Sequence, residues 1–306
     1  MAKSGLFLAV ALLGAPPAFA QQVTHLFPPI TGLWIMPGTH NGDRQPYGAS
    51  SPDANWVVGQ WNIPDNLPAF SGNTTSNQYA AVTLGQDNSF TLSQDASTLP
   101  CNRLYGSGRN LVDEFDILVQ PVPTGFLSML STPQARPRIP LDQLSNVTIS
   151  GTVKVTQMQE ADASCRATQG IVGIGVVATD PDTHQTFFYQ VSFTVYKDLG
   201  DGFAVNQAPS NWFFQGSNIQ NGDAHQFGYG DRAWNSYSMA PLAAGQSESF
   251  SLNVLPVIKQ LMAQQAGNGM DQNLDDWAVT GAYYGESAFG HVQVGSAWSH
   301  VDMTEY

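Results

Sequence analysis

Only one stretch of this 306-residue chain repeats its apolar residues at helical spacing. It runs from Val254 to Gln265, where Leu255, Ile258, Leu261 and Met262 recur three and four apart. Pro256 stands near its start, where a missing N–H costs little. Most of the chain after residue 56 instead alternates with period two, or runs apolar between Gly, Pro, Asn and Asp, which is strand patterning. A chain with so little helical period must bury its apolar faces sheet against sheet.

The runs can be placed. Val57, Val58, Trp61 and Ile63 form a first strand that Pro64 ends. Tyr79 to Leu84 alternates, and Phe90 to Leu92 is its partner across the Gly85–Asn88 turn. Phe115 to Val119 is closed by Pro121 and Pro123. Val147 to Val155 alternates strictly, and Ile171 to Ala178 is a glycine-punctuated run. Phe187 to Tyr196 follows across a hairpin loop from Thr179 to Gln185. Trp212 to Phe214 and Phe250 to Leu252 are shorter, and Val279 to Glu286 and Val292 to Val301 close the chain. About ten strands with one late α-helix predict an all-β fold, a two-sheet antiparallel sandwich of jelly-roll type. Residues 56–306 read as one sandwich domain, with residues 21–55 an irregular segment anchored by Trp34. A separate N-terminal lobe before about residue 145 is the alternative. Gln215 to Gly245 has no steady period and reads as a long loop over one face.

Residues 1–20 have the form of a secretory signal. Lys3 precedes the apolar run Leu6 to Leu13, and Ala18-Phe19-Ala20 supplies a small-x-small cleavage site before Gln21. The expected location is therefore secreted or periplasmic. In such a compartment Cys101 and Cys165 are expected to pair rather than to act as redox or nucleophilic groups, since neither lies in a CxxC. A bridge closing that loop contributes roughly 4 kcal/mol in the chain-entropy model.

Charged residues make up 11% of the chain, with 24 acidic against 11 basic. That balance disfavours nucleic acid and anionic membrane surfaces as partners. A surface rich in Asn, Gln, Ser, Thr, Gly and Tyr suits an uncharged polyhydroxylated ligand, bound by a single copy of the chain. Aromatic residues in the loop-like stretches, Trp212 and Trp234 among them, could offer stacking faces to sugar rings.

Near the C-terminus, Glu286 is flanked by Tyr283, Tyr284 and Phe289. The order of a strand, a long loop region, the helix Val254–Gln265 and then the strand Val279–Glu286 resembles the concanavalin-like jelly-roll hydrolases, most closely glycoside hydrolase family 12. The resemblance covers roughly the last 160 residues, and its closing strand matches Val292 to Val301. It implies that Glu286 is the acid/base carboxylate of an endo-acting glycosidase. The nucleophile position, in the run Phe188-Tyr189-Gln190-Val191-Ser192-Phe193, holds Gln190 instead of a Glu. An amide cannot form the covalent glycosyl intermediate of a retaining enzyme. That departure favours a protein that binds a polysaccharide, with Gln190, Tyr283, Tyr284, Trp212 and Trp234 as ligand-binding residues and Glu286 on the same concave face. Hydrolysis is the alternative, and a structural surface protein without ligand the third reading. Glu114 and Asp116, two apart on a strand, form a second acidic pair. They resemble the Glu-x-Asp-x-x-Glu strand of laminarinase-like hydrolases, with Val119 in place of the third carboxylate.

Other chemistries find little support. No G-x-S-x-G elbow follows a strand, and the six His show no metal-ligand spacing. No cofactor is expected. The one candidate for a structural calcium, Asp271, Asn273, Asp275 and Asp276, lacks the Gly and Glu positions of an EF-hand and reads better as a solvated loop.

Overall fold

The computed structural model describes residues 23–38, 45–61, 63–99, 101, 115–122, 139–162, 164–165, 168–198, 204–205, 211–217, 226–230 and 242–306. Its strands are, in chain order, β1 (Thr24–His25), β2 (Leu33–Ile35), β3 (Trp56–Trp61), β4 (Thr74–Ser76), β5 (Ala80–Leu84), β6 (Phe90–Asp95), β7 (Phe115–Pro121) and β8 (Val147–Glu160). They continue as β9 (Thr168–Asp180), β10 (Gln185–Asp198), β11 (Ala204–Val205), β12 (Asn211–Ser217), β13 (Gln226–Gly230), β14 (Ser247–Asn253), β15 (Ala278–Phe289) and β16 (Val292–Glu305). The α-helix among the described residues, α1 (Leu255–Gln264), has Pro256 in its first turn and buries Leu255, Val257, Ile258, Leu261 and Met262.

These elements form two sheets, and the predicted all-β sandwich is the fold found. One sheet has seven strands in the order β14-β8-β16-β6-β5-β4, with β1 added to β16. The other has nine, in the order β13-β12-β10-β9-β15-β7-β3-β2, with β11 added to β10. Pairing is antiparallel except for β2 on β3. The helix carries the chain from an edge of the seven-stranded sheet to the middle of the nine-stranded one.

Both sheets interleave early and late strands. β16 lies between β8 and β6, and β15 between β9 and β7, so the described residues do not divide into an N-terminal lobe and a remainder. The segment before residue 56 is also less irregular than expected. Leu33 and Ile35 of β2 are fully buried, and β2 extends the nine-stranded sheet. Three residues are too short a run to show a period, which is why the pattern hid it. Likewise Gln226–Gly230, expected within a loop, is a strand paired to β12, and its glycines masked the alternation.

The inter-sheet core is one contiguous cluster around Trp277, Trp298, Tyr189, Tyr284 and Phe90. β8 shows the alternation that a half-exposed strand needs, with Val147, Ile149, Val153 and Val155 inside. β9 and β15 are buried nearly end to end, because they sit at the centre of the wider sheet and are covered on both faces. The turn after Leu84 is closed by Asp87 and Asn88 at positive φ, residue types that tolerate the left-handed region. The Thr179–Gln185 hairpin is fixed by Asp180, whose carboxylate accepts the Asp182 N–H at 2.8 Å. The predicted disulfide is present, Cys101 to Cys165, with a Cα–Cα distance of 5.2 Å.

Candidate functional site

Register decides which side chains share a face. Residues two apart on a strand point the same way, and residues directly opposite on paired strands do too. On β15, Ala282, Tyr284, Glu286 and Ala288 pair with Val176, Ile174, Val172 and Gly170. Ala282, Tyr284, Ala288, Val172, Ile174 and Val176 belong to the inter-sheet core, so Glu286 also points inward. On β10, Phe187, Tyr189, Val191 and Phe193 are the core residues, so Gln190 points outward. Glu286 and Gln190 therefore occupy opposite faces of the nine-stranded sheet, and the expectation that they share one is corrected. Tyr283 and Tyr284 are divided in the same way, with Tyr283 outside and Tyr284 inside.

Inside, Glu286 is 1% exposed. Its Oε2 accepts the Ser296 hydroxyl at 2.8 Å, and the Ser296 oxygen accepts the Trp298 indole N–H at 2.9 Å. Among the described residues Oε1 has no hydrogen-bond partner. Burial pushes the Glu286 carboxyl well above the usual carboxylate range, against the smaller opposing effect of Ser296. That direction favours the protonated form of an acid held between two sheets. The raised pKa matches what an acid/base residue needs, but a sugar cannot reach it there. Glu286 is an internal strut joining β15 to β16.

Outside, Tyr283 donates its hydroxyl to Gln190 Oε1 at 2.5 Å. Gln190 Nε2 in turn donates to Ser192 Oγ at 3.1 Å. Between these strands lies Gly175, paired to both Tyr283 and Gln190. A Cβ at Gly175 would stand 2.0 Å from the Tyr283 ring, so the glycine is what lets the tyrosine lie down across β9. Phe188 stacks on Tyr283, with ring centroids 5.6 Å apart and planes 16° apart.

The next row across the same face runs Gly59, Leu118, Gly285, Gly173, Ser192. Three of its five positions have no side chain, and neighbouring side chains fill the space, Gln120 beside Gly59 and Gln190 beside Gly173, so every residue of the row is buried. Leu118 leans over Gly285, where a Cβ would come within 2.6 Å of its Cδ2. The row beyond is Trp61, Asp116, Ser287, Ile171. Trp61 is 42% exposed, and Asp116 is half-buried beside it. The Tyr283 and Trp61 rows lie four residues apart, ~14 Å at the strand rise, with the glycine row between them.

Trp61, Ser287 and the glycine row were not singled out in the sequence. Glycines at alternate positions of one strand, as at Gly173 and Gly175, were the signal available. Of the other expected residues, Trp212 sits opposite Gln190 in the β10–β12 register. Glu114 and Trp234 lie outside the described residues. The calcium candidate is a self-bonded loop. Asp271 Oδ1 accepts the Asn273 N–H at 2.9 Å, and Asp276 Oδ2 accepts from Asn273 Nδ2 at 2.8 Å. Hydrogen bonding and like charge from Asp142 raise the pKa of Asp275. Among the described residues, no helix is long and apolar enough to cross a membrane. No protein-family model matches this chain, and comparison with curated protein sequences returns no match.

Proposed function

We propose that this chain is an exported protein that recognises a neutral polysaccharide on the outer face of its nine-stranded sheet. The observation that carries this reading is the indole of Trp61, 42% exposed on that face with the half-buried Asp116 carboxylate beside it, which suits a ring that stacks through C–H groups and bonds through hydroxyls. The neighbouring glycine row and the Tyr283–Gln190–Phe188 assembly are buried, so they hold the face in shape rather than meet a sugar. The signal-like segment at residues 1–20 and the disulfide support export.

The test is a panel of soluble uncharged glucans and xylans, assayed for binding and for released reducing ends. The expected result is binding without release, weakened tenfold or more in Trp61→Ala. Binding that is unchanged by Trp61→Ala, or absent across the panel, overturns this reading. Release of reducing ends that disappears in Asp116→Asn moves it to an endo-acting hydrolase working on the same face.

A further inference from the structure

The disulfide is packed against a histidine that plays no part in the proposed binding face. We propose that reductive opening of the Cys101–Cys165 bridge creates a zinc site, with the two thiolates and the His291 imidazole as ligands. The two sulfurs and an imidazole nitrogen already lie within 4.8 Å of one another. Tetrahedral zinc holds sulfur at ~2.3 Å and nitrogen at ~2.0–2.1 Å. Those bond lengths put its donors ~3.5–4 Å apart, so the sulfurs have to separate to take the metal between them and the imidazole.

The three donors come from three places, and the bridge is not what brings two of them together. His291 occupies the turn between β15 and β16, while Cys165 lies between β8 and β9. Those strands are locked by the pairs Phe289 with Gln169 and Val292 with Glu160. Cys101 is kept near by His291 itself, since Nε2 donates to the Leu99 carbonyl at 2.7 Å. Nδ1 contacts Asp162 Oδ1 at 2.9 Å and Ser164 Oγ at 2.8 Å. Because Ser164 and Asp162 share one nitrogen, this is not a Ser-His-Asp relay for nucleophilic attack. It is the outer support of a ligating imidazole. The nitrogen that takes the metal gives up its present partner, and the other keeps its own and fixes the ring. Asp162 or water completes the coordination.

Access is also built in. Cys101 is exposed and Cys165 is buried, so a thiol reductant attacks Cys101 Sγ and expels the Cys165 thiolate. A second thiol then resolves the mixed disulfide. The two electrons come from two reductant thiols, which leave as a disulfide, and zinc binding displaces the protons from the two cysteines.

The experiment uses the full chain, oxidised and after reduction with a phosphine, titrated with cobalt(II) and then zinc. The expected result is one cobalt per reduced chain with thiolate charge-transfer absorption, displaced by zinc, and no such band from the oxidised chain. His291→Ala should weaken binding at least tenfold, and Cys101→Ser should remove part of the charge-transfer intensity. If His291→Ala does not fold, His291→Gln serves, because it keeps a polar group of similar reach. Circular dichroism of the reduced, metal-free chain reads the remaining case: if it has lost its fold, zinc must restore it. No stoichiometric cobalt in the reduced chain, a zinc affinity indifferent to His291, or an unfolded reduced chain that zinc does not rescue would each overturn the site.

Discussion

Along β15 successive residues meet different surroundings. Tyr284 and Glu286 point between the sheets, where Trp298 lies 5.6 Å from Tyr284, ring centre to ring centre, and Ser296 holds the carboxyl. Tyr283 and Gly285 point away from the sandwich, where glycines on β9 and β15 let side chains lie across the sheet rather than stand on it. The inner face spends its polar groups on joining β15 to β16. The outer face joins Tyr283 of β15 to Gln190 of β10 across Gly175 of β9. A carboxylate and an amide three rows apart on one sheet can thus belong to different functions, and the side of the sheet decides which.

The inner face should respond most strongly to truncation. Trp298 is 1% exposed and contacts Phe90, Phe193, Phe250 and Tyr284. Trp298→Ala opens a large cavity and strips the Ser296 oxygen of its indole donor. The expected loss is about 3–5 kcal/mol in denaturant unfolding, and a loss under about 1 kcal/mol would mean that the two sheets do not pack as described.

Glu286 separates the faces by pH. Its folded pKa lies above the unfolded value, so the folded state binds the proton more tightly and its contribution is fully present below about pH 4.3, the unfolded carboxyl value. As pH rises from there toward the raised folded pKa, the unfolded chain has already released its proton and stability falls. Each tenfold gain in proton affinity on folding corresponds to about 1.4 kcal/mol lost by the time pH passes the folded value. Glu286→Gln keeps an acceptor for Ser296 and carries no charge. The variant should be more stable than the parent at pH 8, and the gap should close near pH 4. A parent whose stability rises over that window, or a variant with the same profile, would show that the carboxyl is ionised in the fold.

Much of the sandwich was legible in the chain, and the faces of its central strands were not. β8 could be read because one face meets solvent, so Val147, Ile149 and Val153 alternate with polar residues. β15 could not, because both its faces are covered and apolar, small and polar residues occur on each. Its parity also depends on a bulge between Val279 and Gly281, and a second irregularity lies between Ser192 and Thr194 of β10. One extra residue turns every later side chain to the other face. A resemblance in the order of elements therefore suggested a shared face for Glu286 and Gln190 that the register does not give. The disulfide was legible because two cysteines and an oxidising compartment leave one pairing. The ring of Tyr283 over Gly175 was not, because it depends on which strands are neighbours.

The smallest of these effects tests the outer face alone. Tyr283→Phe keeps the ring, and with it the stacking on Phe188, and removes only the hydroxyl that bonds Gln190 Oε1. Gln190 is 2% exposed, so its acceptor loses a donor that water cannot easily replace. The cost should be about 1–2 kcal/mol, within the range for a buried acceptor left without its donor. A double-mutant cycle with Gln190→Met isolates the pair, because the second change removes the acceptor as well. If the bond is as drawn, Tyr283→Phe should cost much less in the Gln190→Met background than in the parent. Equal costs in the two backgrounds would mean that the hydroxyl and the amide do not interact. The outer row would then be held by ring packing over Gly175 alone, and the contrast between the two faces would reduce to hydrogen-bonded inside and merely packed outside.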